Sequence, residues 1–190
     1  QARFLLEKRL KAETKATVAA AMLRSMARLP LDVNDAGLVE LVLGMNLTGN
    51  AQRVGGAIAG LEILARRAPS RPFALDVSQR LRDIAEGSRA QLIVDRPAND
   101  PGGLKAAEIL ASLRRLALLT LHETNRDNDN TLMAAMSDGD WQVRRMAAEY
   151  LPARDDLHAV APDTDPGLEA RGHVLPHLLL ELRQIPEVVL

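Results

Sequence analysis

The stretch Asp138-Gly-Asp-Trp-Gln-Val-Arg-Arg-Met-Ala-Ala-Glu-Tyr-Leu151 decides how this chain is read. Asp138, Gly139 and Asp140 make a polar turn, and Trp141 opens the helix that follows. Val143, Met146, Ala147, Tyr150 and Leu151 then recur at helical spacing, which gathers them on one packing face. A helix this short is not stable alone in water, so its apolar face needs a neighbour.

Composition points the same way. Of the 190 residues 47% are apolar but only 2% aromatic, so the core has to come from Leu, Ala, Val, Ile and Met. Leucine and alanine are strong helix formers, and the alternating Val, Ile, Thr and Tyr of strands is nearly absent. Twenty-four basic and 25 acidic residues are interspersed, giving a net charge of −1 and no electrostatic footprint for DNA or RNA. No apolar run approaches the roughly 18 residues that a membrane helix needs. The lack of cysteine excludes disulfides, thiolate metal sites and a cysteine nucleophile, and leaves the compartment open. A start at Gln1 without methionine is expected of a processed or excised chain.

Working outward from residue 138, the same pattern of a polar turn followed by an Ala-rich helix recurs with anchors at Val18, Val54, Leu104, Val143 and Leu168, at intervals of 36, 50, 39 and 25 residues. The first unit pairs a helix over Phe4, Leu5, Leu6 and Leu10 with one from about Ala16 to Leu29, which Pro30 stops. The second has Asp35 as N-cap of a helix through Leu38, Leu41, Val42 and Met45, with Thr48-Gly-Asn50 turning into the Val54 helix. In the third, Asp76 caps a long helix through Val77, Leu81, Ile84, Leu92 and Ile93, with a weak point at Gly87-Ser88. Leu104 to Leu121 turns apolar almost all round in its second half and reads as a central buried helix. A short helix over 131–136 precedes the Trp141 helix, and Asp163-Thr-Asp-Pro-Gly167 starts the last one.

Residues 131–151 resemble a HEAT repeat; the likeness is looser over 163–183 and 1–29 and weakest over 35–123. It implies an all-α, HEAT- or armadillo-like solenoid of about five stacked helical hairpins, as one domain over residues 1–190. The second helices, from about Thr17, Arg53, Gly103, Trp141 and Gly167, would line one face and the first helices the other. In this family a turn acid and a basic residue early in the second helix pair in a ladder that fixes stacking. Asp140 and Arg144 match those positions, whereas Asp165 is followed by Glu169 in the basic place, and Val54 and Leu104 by Gly55 and Lys105. An irregular superhelix is expected from these departures. Apart from the family, Gly56-Ala-Ile-Ala-Gly60 sets two glycines four apart, which lets a facing helix come close.

Candidate chemistry is sparse. His173 and His177, with His158, Asp163 or Asp165, would have metal-ligand spacing, but Pro176 lies between the two histidines, and no metal is expected. Asp127-Asn-Asp-Asn130 resembles the opening of a calcium loop, yet Leu132 stands where the loop needs glycine. No serine has nucleophile-elbow glycines, and no phosphate-cradling loop or dinucleotide fingerprint is present. Arg66-Arg67, Arg114-Arg115 and Arg144-Arg145 are twinned arginines, expected to form solvated flanks with one member bridging to an acid. Trp141 is either an anchor for a partner or, as the family favours, a cover over the preceding helix. Asn46-Leu-Thr48 is a glycosylation sequon in an apolar neighbourhood that disfavours exposure.

The expectation for function is a non-enzymatic scaffold that binds a protein or peptide on its concave surface, without a cofactor. Arg53, Lys105, Arg144 and Arg145 are its candidate contacts, as polar residues early in the second helices. The same family suggests, as an alternative, an enzyme of the bilin lyase type or a DNA glycosylase acting on alkylated bases. Near-neutral charge with one Trp, one Tyr and two Phe weighs against the glycosylase. At the far end, leucine-rich 173–182 and the apolar finish 188–190 are expected to form a junction covered by further repeats, another domain or a second copy.

Overall fold

The computed structural model describes residues 2–67, 71–87, 92–95, 103–124 and 129–151, all within the unit Gln1–Pro152. The expectations for the hairpin at 163–183, for His158, Asp163, Asp165, Glu169, His173 and His177, and for the apolar finish lie outside the described residues, as does most of the 125–130 loop.

The chain is all-α: 78% of the described residues are helical, in eight helices. These are α1 (Ala2–Ala12), α2 (Ala16–Arg28), α3 (Val33–Met45), α4 (Ala51–Arg67), α5 (Leu75–Glu86), α6 (Leu104–Glu123), α7 (Asp129–Met136) and α8 (Trp141–Tyr150). None of these helices is long and apolar enough to cross a membrane.

Local chemistry sets most of the ends. Asp32, not Asp35, caps α3, its Oδ1 accepting from the Asp35 amide at 2.7 Å. Asp76 lies inside the first turn of α5 and does not cap it; the amide of the N-cap residue Ala74 instead donates to Glu40 Oε1 at 2.6 Å. Helix α5 is also shorter than its periodicity implied. Gly87 takes φ +69° at its C-terminus and ends it at Glu86. Leu92–Ile93 (β2) then leaves the helical path to pair in parallel with Gly49–Asn50 (β1), a link that the strand-poor composition did not foretell. Asn50 Nδ2 extends that link by donating to Asp95 Oδ2 at 2.8 Å.

The even-numbered helices pack in succession, α2 on α4, α4 on α6 and α6 on α8, while each odd helix packs on the even helix after it. Named contacts fix their direction. Gly56 abuts Ala20 and Gly60 abuts Leu23; Gly55 abuts Leu113 while Arg66 pairs with Glu123; Arg115 reaches Asp140 while His122 stacks on Tyr150. In each pair both sequences advance together, so α2, α4, α6 and α8 all run the same way. On the other side, Glu40 with the amide of Ala74 at the start of α5 and Gly44 with Val77 make α3 and α5 run together too.

Gly56 sets the closest approach. A Cβ there would fall 2.4 Å from Ala20 Cα, so only a glycine lets α2 lie this near α4. Gly60 repeats the device one turn on, against Leu43 and the Leu23 carbonyl. Around this contact Leu23, Met26, Leu43, Ile58, Leu61 and Leu118 are fully buried. Burying each such side chain contributes about 1.5–3 kcal/mol. Helix α6 lies against α4, α5 and α8, as its all-round apolar second half implied. Thr120 within it and Thr124 at its C-terminal end are buried, and their hydroxyls donate back to the carbonyls of Leu116 and Thr120.

Several apolar positions face the other way from the expected one. Phe4 and Leu5 are exposed, and α1 packs through Leu6 and Leu10. On α3, Leu38, Leu41 and Met45 are exposed while Val39 and Leu43 join the core. Of the repeat anchors, Leu104 and Val18 are also exposed, in contrast to Val54 and Val143.

Candidate functional site

Two open clefts lie on the even-numbered helices. The larger, about 590 Å³, follows the strip of α4 formed by Ala51, Gln52, Gly55, Gly56 and Ala59, of which Gln52 is exposed and Gly55 and Ala59 half-buried. Residues at that spacing form one helical face, so the groove runs along α4. One wall is α2, with Thr17, Ala20 and Arg24; the other is α6, with Glu108, Ile109, Ser112, Leu113 and Leu116. The floor is low because its residues are small. The smaller cleft, about 240 Å³, lies over α6 and α8 between Arg115, Trp141, Arg145 and Met146.

Ser112 joins the two. It lines the first cleft, and its Oγ accepts a 2.9 Å bond from Nη2 of Arg115, which lines the second. The same hydroxyl donates to the Glu108 carbonyl at 2.9 Å, so it faces no base that could activate it as a nucleophile. Among the described residues no group of three His, Asp or Glu side chains could hold a metal ion. The clefts present cationic and anionic side chains, an indole, and small apolar ground between them.

The arginines divide into engaged and unengaged. Arg67 donates from Nη1 to the carbonyls of Ala27 and Leu29, both at 2.7 Å, and so closes the C-terminal end of α2. Arg66 pairs with Glu62 at 2.8 Å and with Glu123 at 3.6 Å. Arg114 pairs with Asp138, and Arg115 with Asp140 at 3.2 Å and with Gln142. Both members of each twin are therefore in use, one more than expected. By contrast Thr17, Arg24, Gln52 and Glu108 have no side-chain hydrogen bond or ion pair among the described residues, and all four are exposed.

The residues singled out from sequence scatter around this face. Arg53 donates from Nε to Asn46 Oδ1 at 2.7 Å, holding the α3–α4 turn together. Lys105 is exposed at the start of α6. Arg145 lines the smaller cleft, paired with Glu149 at 2.8 Å. Arg144 turns back, donating from Nη1 to the carbonyls of Asp138 and Gly139 at 2.7 and 3.2 Å. It thus does not pair with Asp140, whose carboxylate caps α8 through the amides of Gln142 and Val143 and reaches back to Arg115 on α6. Trp141 is 56% exposed, more than expected of a cover over the preceding helix, α7. At the first position of α8 it lines the smaller cleft beside Arg115 and Arg145. Asn46 uses its Nδ2 to bond the Val42 carbonyl at 2.7 Å, so the sequon amide is already engaged. Sequence reasoning passed over Arg24 and Glu108, because nothing local distinguishes them from other surface charges.

Comparison with family models, with curated proteins and with solved structures finds no match to this chain.

Proposed function

We propose that this chain is a HEAT-like stack of helical hairpins that binds a protein or peptide segment along the face of its even-numbered helices. The observation that carries the reading is that both clefts lie on that one face, joined at Ser112 and Arg115. A stack of hairpins presents its helices side by side, so neighbouring clefts add into an extended surface suited to a long segment. The side chains support it as well. Trp and Arg dominate the energetics of protein interfaces, and here an exposed Trp141 stands beside Arg145 and Arg115. Exposed polar groups without partners in the larger cleft are ready to pair with a ligand at no loss of internal bonds.

Selection of random peptides from a display library on the immobilised 190-residue chain tests this, with hydrogen exchange locating the bound peptides. Enrichment with added protection on α2, α4, α6 and α8 is expected. Failure to enrich any peptide would overturn the reading, and protection confined to α1, α3, α5 and α7 would move the site to the other face.

A further inference from the structure

Resting on that reading, we infer that the occupant of the larger groove is a helix of a partner protein lying antiparallel to α4, with an acidic residue near its start and a basic residue two to three turns later. The groove favours a helix over an extended strand. Strand-like peptides gain affinity by main-chain bonds to an open sheet edge, and the walls here are helices whose backbone groups are used internally. The groove is straight because it follows α4, and the run from Ala51 to Ala59 gives it a length of roughly 12 Å, about two helical turns. Between the points where Ala20 of α2 and Leu113 of α6 meet α4, the half-buried Gly55 and Ala59 carry little side chain and keep the ground low.

Charge sets the polarity. Arg24 and Glu108 stand on opposite walls and at opposite ends. Gly56 abuts Ala20 and Gly60 abuts Leu23, which puts Arg24 near the level of Gly60. Gly55 abuts Leu113 and Arg66 pairs with Glu123, which puts Glu108 near the level of Ala51. The two are offset by roughly 14 Å of helix rise, or seven to eleven residues once side-chain reach is allowed for. Neither has an ion-pair partner among the described residues, whereas every arginine of α4, α6 and α8 is engaged. A ligand carboxylate therefore belongs at the Arg24 end and a ligand cation at the Glu108 end. A helix carries partial positive charge at its N-terminus and negative charge at its C-terminus, so it prefers its acid first and its base last. Placing that acid beside Arg24 starts the ligand at the C-terminal end of α4. The ligand then runs against α2, α4 and α6, with its dipole opposed to theirs.

Two capped, alanine-rich peptides of identical composition test the assignment, one with Glu first and Lys later, the other with the order reversed. Each is labelled with fluorescein and titrated against the full chain, with fluorescence anisotropy as the readout. The acid-first peptide is expected to bind about tenfold more tightly, and the double variant R24E/E108K to invert the preference. Both substitutions are on exposed side chains, and circular dichroism checks that the variant keeps its helix. Equal binding of the two peptides, no binding of either, or a preference untouched by the double variant would overturn the inference. In those cases library-selected peptides that still protect α2, α4, α6 and α8 would leave the peptide-binding reading standing, and an empty selection would remove both. A dimer of the chain that dissociates in R24E would make the occupant a second copy and also overturn the assignment.

Discussion

Arg114 on α6 lies against Asp138 in the turn before α8, with Nε 2.6 Å from Oδ2 and Nη2 donating to Oδ1 at 2.9 Å. The next residue makes the next contact, Arg115 with Asp140 at 3.2 Å. Two consecutive arginines thus read two aspartates spaced by Gly139, and they tie α6 to the turn that positions Trp141. The first pair is the more enclosed, its side chains 19% and 10% exposed.

Removing Arg114 leaves the Asp138 carboxylate largely shielded from water without its cation. R114A is expected to destabilise the chain by about 2 kcal/mol in urea unfolding, with D138N smaller because the amide still accepts a hydrogen bond. A double-mutant cycle on R114A and D138A should return a coupling of about 1–2 kcal/mol. Additive single effects would mean that the contact holds nothing together.

G56A places a methyl group where Ala20 already stands, 2.4 Å from its Cα. Helix α2 has to move off α4, at a cost of about 2–3 kcal/mol. G139A is the control, since a Cβ there meets nothing within 4 Å. Equal melting temperatures for G56A and wild type would mean that the two helices do not pack this closely.

Asp140 serves two partners, the amides that open α8 and the Arg115 guanidinium. D140A should lose about 1–2 kcal/mol, and D140S should recover most of the cap contribution but not the ion pair. Equal losses in D140A and D140S would place the whole effect on Arg115.

Trp141 is the sole tryptophan and is half-exposed, so its fluorescence reports on the smaller cleft alone. Iodide should quench it in the free chain and lose access when a selected peptide binds. W141A should change stability by less than about 0.5 kcal/mol while weakening that peptide several-fold. A large loss of stability would mean that the indole is packed after all.

Much of the helical framework was legible because its signals are local. The expected span Ala16 to Leu29 and the observed Ala16–Arg28 differ by one residue, since Pro30 marks the end in sequence. Helix α3 defeated the same method. It is apolar all round, so periodicity could not choose between the Leu38, Leu41 and Met45 side and the Val39 and Leu43 side that the core selects. The β1–β2 link was illegible for another reason: Gly49 and Leu92 are 43 residues apart, and short-range pattern carries no information about such a pairing. Arg24 and Glu108 escaped notice because what marks them is the lack of a partner, which only the folded arrangement reveals.

The packing order has a consequence for how the chain reaches this arrangement. Each of the main helix contacts joins elements no more than two places apart in the series, α2 to α4 or α5 to α7. Little loop entropy is lost in closing such contacts, so folding is expected to be fast for a domain of this size. The order also suits synthesis from the N-terminus. Once α4 has left the ribosome, α2 already has the surface that covers it, and α4 waits only for α6.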